Sequence, residues 1–155
     1  MKDYIKIGID KKLIDIIDDG KKILYTHQNK KYNYKDPEEQ VRASYYIELV
    51  ERYEYPPQRI NFEIPIPRRI QGDYADIVVF KDDEQKEPYI VVECKKDAIS
   101  DAEFLQAIEQ AFGNANNLNA HFISVVSGIT IKSFNLKDFK PLERVLNIIS
   151  DIPKK

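Results

Sequence analysis

The chain has little with which to tie itself covalently or bind a soft metal. Cys94 is its only cysteine, so no disulfide can form within it. Two histidines, far from each other and from Cys94, argue against a zinc site. No window approaches about 18 consecutive apolar residues, so no transmembrane helix is expected. Lys2 and Asp3 are followed by no long apolar run, so nothing resembles a signal peptide, and the cytoplasm is the expected location. Neither sign of charge dominates: 24 basic and 26 acidic side chains leave a net charge of -2. No strong global field would attract nucleic acid, so such binding would need a local basic patch or a further domain.

What is present is globular. Hydrophobic residues make up 43% and charged residues 32%, unlike a disordered tail, and 155 residues suffice for one domain with a real core. Residues 11–18 carry Leu13, Ile14, Ile16 and Ile17 and read as a short helix ended by Asp19-Gly20. Residues 23–26 and 31–34 flank a polar stretch and read as a hairpin. Residues 1–35 are thus expected to be an appendage of helix and hairpin. Asp36 as N-cap, Pro37 at the first helical position and acids at 38 and 39 predict a helix of about four turns, stopped by Pro56-Pro57.

Strands follow at 59–65, where Pro65 suggests an edge position or a break, at 74–80, and at 88–94, whose apolar run fits a central strand covered on both faces. A long helix is expected over 101–118, strands over 122–126 and 129–134 around a Ser127-Gly128 turn, and a last helix over 142–149. The order predicts an α/β fold (α+β in some schemes): a central mixed sheet flanked by helices, over residues 36–150. Residues 151–155 read as a tail leading into a linker of a longer protein.

Chemistry concentrates on two strands. Asp76 interrupts the apolar strand Ala75-Asp76-Ile77-Val78-Val79, and a carboxylate is rarely buried without a partner. Glu93 and Lys95, two apart at the end of another strand, share one face. If the strands are neighbours, Asp76 and Glu93 converge on one ion. Magnesium takes hard oxygen ligands and keeps several waters, so two carboxylates and the Cys94 backbone carbonyl would be enough. Lys95 would hold the attacking water or stabilise charge on a phosphate. Glu38, three residues before Val41 and seven before Tyr45, is read on the buried-facing side of its helix. It is either a third carboxylate, direct or through water, or a first-turn acid that complements the helix dipole. Glu39 is read as pointing away.

These residues form an ordered series. Asp76 with Glu93-Cys94-Lys95 resembles the PD-(D/E)xK nuclease signature. Pro37 through Arg42, Tyr74 through Val79, Ile90 through Lys95, Gln110-Ala111 and Val125 through Gly128 resemble the N-terminal nuclease domain of type I restriction enzyme R subunits. The resemblance implies a restriction-endonuclease-like core and magnesium-dependent hydrolysis of double-stranded DNA, with manganese able to substitute. It also implies translocase, methyltransferase and specificity partners absent from this chain. By the same resemblance Gln110 orients the DNA backbone or the attacking water. Four residues later the family usually has tyrosine, and here Asn114 stands.

Arg68, Arg69 and Lys96 are candidate phosphate contacts, with ordinary solvated surface as the alternative. Gln106, one turn before Gln110, is a weaker candidate. Arg42 is expected to pair with Glu38 or Glu39. Tyr45, Tyr74 and Tyr89 are expected to pack, and Cys94 to fill core volume. Two readings compete with a restriction nuclease: a catalytically weak DNA- or protein-binding module of the same fold, and a standalone repair or junction nuclease.

Overall fold

The computed structural model describes residues 2–67, 73–136 and 148–155. Arg68, Arg69 and most of the helix expected over 142–149 fall outside these residues.

The N-terminal segment differs from its sequence reading. Helix α1 spans Tyr4–Asp10, capped by the Asp3 side chain, which accepts from the Lys6 amide. The residues expected to be helical instead form strand β1, Ile14–Ile17. Lys12 lies in the left-handed region at φ 61°, which ends the helical path. Ile14 and Ile16 then pair with Tyr25 and Ile23 of β2, Lys22–Tyr25, while Asp15 points outward. Asp18, Asp19 and Gly20 all have positive φ, so Asp-Gly closes a hairpin rather than a helix. Strand β3, Lys30–Asn33, pairs with β2 as the expected hairpin and completes a three-stranded sheet.

The elements from Pro37 onward follow the predicted order closely. Helix α2 spans Pro37–Glu51, with Asp36 accepting from the Glu38 amide. A short 3-10 turn, Pro57–Arg59, leads to β4, Ile60–Pro65. Then come β5 Tyr74–Phe80, β6 Pro88–Lys95, α3 Asp101–Leu118, β7 Phe122–Ser127 and β8 Thr130–Asn135. Ile148–Ile149, read as the end of a helix, forms strand β9 against Ser133 and Phe134. Ser100 and Glu103 cap α3 reciprocally, and Asn119 closes it at φ 56°.

The larger sheet runs β4-β5-β6-β7-β8-β9, with β6 and β7 parallel and the other neighbours antiparallel. Parallel neighbours need a crossover, and α3 supplies it. β4 lies at the edge, where its proline is tolerated. One face packs through Ile77, Val79, Ile90 and Val92 against Tyr45 and Leu49 of α2. The opposite face packs through Val78, Val91, Ile123 and Val125 against Ala107, Ala111 and Phe112 of α3. This is the mixed sheet between helices expected of a restriction-endonuclease-like core.

The three-stranded sheet shares the α2-side core. Tyr25 stacks on Phe62 at 4.1 Å between ring centroids and meets Tyr46 edge-on at 5.6 Å. At the other end of α2, the Asp151 carboxylate bonds Arg52 and Tyr53, the Pro153 carbonyl accepts from Tyr55, and Ile152 is buried. Among the described residues no helix is long and apolar enough to cross a membrane.

Candidate active site

The ladder between β5 and β6 ends at Ile77 and Val92, and one step further Asp76 and Glu93 stand opposite each other. The strands part there. The Cys94 amide donates to Asp76 Oδ2 at 2.8 Å, so a side chain takes up a donor that the sheet leaves free. β6 continues along β7, which pairs Glu93 with Val125 and Lys95 with Ser127. The Ser127 hydroxyl donates to the Lys96 carbonyl at 2.7 Å and holds the end of β6 in place.

The two carboxyl groups are near enough for the charge of Asp76 to act on Glu93. Glu93 is 2% exposed, and its Oε2 is buried with no hydrogen-bond partner among the described residues. Burial first, then the charge of Asp76, pushes the Glu93 pKa well above the usual carboxylate range. Burial also raises the Asp76 pKa, against the opposing pull of the Cys94 amide and the Arg42 charge. Lys95, half-buried, favours the ionised form of both acids. Buried Glu93 beside half-buried Asp76 sets two hard oxygen-donor groups side by side at the end of the sheet.

Two clefts flank this pair. One, of about 220 Å³, is lined by Glu38, Glu63, Asp76 and Cys94, with Glu39 and Arg42 in its wall. The other, of about 160 Å³, is lined by Glu38, Lys95, Lys96, Gln106 and Gln110. Glu38 borders both, and its charge adds to the repulsion at Glu93. Lys96 is exposed, and Gln110 on α3 is half-buried facing Lys95 and Glu38 across the second cleft. Among the described residues no group of three or more His, Cys, Asp or Glu side chains is arranged to hold a metal. Asp76 and Glu93 are brought together; Glu38 stands nearby without closing a three-carboxylate cluster.

On α2 the more buried of the two first-turn acids is Glu39, not Glu38, contrary to the sequence reading of which side faces the core. Glu38 is half-buried, whereas Glu39 is 6% exposed. The N-terminal sheet covers a helix face that would otherwise meet water, and Glu39 points into it. Glu39 is not free to bind a metal: Arg42 donates to both its oxygens, at 3.0 and 2.5 Å, and the Tyr25 hydroxyl donates to Oε2 at 2.5 Å. The expected Arg42 pairing is therefore with Glu39.

Other placements vary. Cys94 is buried in the core, and burial pushes its thiol pKa up. Tyr45 is buried and hydrogen-bonded to Ser124, while Tyr74 is 44% exposed and does not pack as expected. Asn114 is 1% exposed and donates to the Tyr74 carbonyl, so this helix position braces β5.

The sequence reading missed Tyr25 and Glu63. Tyr25 belongs to a separate sheet, and nothing in its local pattern points to α2. Glu63 falls opposite Asp76 in the β4–β5 register yet sits at φ 51°, a left-handed conformation rare in a strand. Only its place in an edge strand beside Asp76 would have marked it.

A family model described as type I restriction enzyme R protein N terminus (HSDR_N) matches residues 37–153. No curated protein and no solved structure gave a match.

Proposed function

The chain belongs to the type I restriction enzyme R protein N-terminal family, and from that premise we propose that it is a magnesium-dependent endonuclease domain that hydrolyses DNA phosphodiester bonds within a restriction system. The observation that carries the reading is the pairing of Asp76 with Glu93 at the point where β5 and β6 part, beside Lys95. Magnesium accepts one or two carboxylates and completes its shell with water and substrate phosphate. Two facing carboxylates therefore fit it without a third, and the orphaned Glu93 oxygen supplies an open lone pair. Manganese suits the same donors.

Asp76 and Glu93 would hold the ion, joined by the Cys94 carbonyl, with Glu38 reaching it through water. When bound, the ion supplies Lewis acidity to the phosphate and makes a water easier to deprotonate. Lys95 faces the second cleft as an ammonium point charge, suited to holding the attacking water and to countering charge that builds on the phosphate. Gln110 borders that cleft and orients the water or the DNA backbone. Exposed Lys96 contacts a neighbouring phosphate, and Arg68 and Arg69 extend the same role. With a net charge of -2, affinity for double-stranded DNA comes chiefly from translocase, methyltransferase and specificity parts of the assembly.

The second reading, a catalytically weak binding module of this fold, is favoured by the lack of a three-ligand cluster among the described residues. Incubation of supercoiled DNA with magnesium or manganese separates the two. The parent chain nicks in a metal-dependent way, and Asp76→Ala and Lys95→Ala each lose about a hundredfold or more of the rate. Equal nicking by all three would reveal a contaminant, and a parent that stays silent with either metal even at DNA concentrations high enough to saturate it would favour the binding module.

A further inference from the structure

The three-stranded N-terminal sheet reaches the candidate site through a chain of largely buried contacts. The Tyr25 hydroxyl of β2 donates to Glu39 Oε2 at 2.5 Å. Glu39 receives Arg42 through both oxygens. Arg42 Nη1 then donates to the backbone carbonyl of Asp76 at 3.4 Å. The Arg42 guanidinium also lies 3.5 Å from Glu63 and stacks 4.3 Å from the centroid of Tyr32 on β3. Its side chain is 5% exposed.

A guanidinium this buried is strongly destabilising unless its fork is fully engaged, so its position depends on the partners around it. Glu39 is the two-pronged partner, and Tyr25 is what holds Glu39 from the far side. Tyr32 fixes the plane of the guanidinium from the same sheet. Nη1 reaches the residue that faces Glu93. Tyr25 and Tyr32 lie outside residues 37–153, so this support comes from beyond the span the family model matches.

We propose that Tyr25, Glu39 and Arg42 are positioning residues through which the N-terminal sheet sets the place of Asp76. That Asp76 is placed for metal binding rests on the function proposed above; that it is placed by this chain of contacts does not.

Two readouts test this. The Cys94 amide donates to the Asp76 carboxylate, so its hydrogen exchange reports on Asp76 with no metal present. Rates are taken relative to the Val91 and Val92 amides of the same strand, which removes any change in global stability. Tyr25→Phe and Arg42→Lys are expected to speed Cys94 exchange by about tenfold, the equivalent of one lost hydrogen bond. Titration with manganese then reads the ion: both variants are expected to bind about tenfold more weakly than the parent, the usual size for a residue supporting a ligand. Tyr46→Phe removes a hydroxyl from the same aromatic cluster but outside the chain of contacts, and should match the parent in both readouts. Unchanged relative exchange at Cys94 in Tyr25→Phe and Arg42→Lys would overturn the proposal. Faster exchange in a chain whose parent binds no manganese would uphold the positioning and sink the metal reading instead.

Discussion

Glu93 is buried with one oxygen unpartnered and faces a second acid. Unpaired charge in such a place opposes folding, and the direction of its pKa says so. A carboxyl whose pKa is raised in the folded state binds its proton more tightly there than in the unfolded chain. Its contribution is therefore fully present below the ordinary glutamate value, about 4.3, and is lost as pH rises through the folded value. In the metal-free chain, Glu93→Gln should leave stability near pH 4 close to that of the parent. At pH 7 it should raise Tm by about 2–4 °C, the equivalent of about 1 kcal/mol at this size. Scans in chelator across that range measure the difference, and a variant less stable than the parent at pH 7 would contradict it. That Asp76 and Glu93 would meet was legible because an acid inside an apolar strand is rare enough to need a reason. Glu39 was set aside as a ligand because it points away from the Val41 stripe, and no local pattern announced that another sheet would cover it.

Elements were legible where caps and periodicity agreed. Helix α3 carries Ser100 and Glu103 as a capping box, and the predicted span of 101–118 matches Asp101–Leu118. That agreement implies a measurable dependence on the cap. Ser100→Ala should lower stability by about 1 kcal/mol, read as a Tm lower by about 2–4 °C, with Mn2+ affinity little changed because Ser100 lies outside both clefts. An unchanged Tm would mean that packing of Phe104, Ala107 and Ala111 alone sets where α3 starts. The β1 segment shows the opposite case. Leu13, Ile14, Ile16 and Ile17 satisfy a helical count over so short a run, but outward Asp15 and the Asp-Gly turn belong to a strand with period two. The left-handed backbone of Glu63, in the edge strand beside Asp76, left no trace in composition.

At the scale of the whole molecule, the site is made by separation as much as by contact. Two helices clamp the sheet from opposite faces, and β5 and β6 part at the end where the acids stand. Alternation along the strands made the layers readable, because Ile77 and Val79 needed cover on one face and Val78 on the other. How the N-terminal sheet docks was not readable, because Tyr25 and Glu39 are joined only by the tertiary fold. The account's central claim is that carboxylates from neighbouring strands share one divalent ion. Crystals soaked in manganese and measured for anomalous scattering test it most directly. One strong peak within bonding distance of both Asp76 and Glu93 is the predicted result, and a map with no peak between those two carboxylates would contradict it.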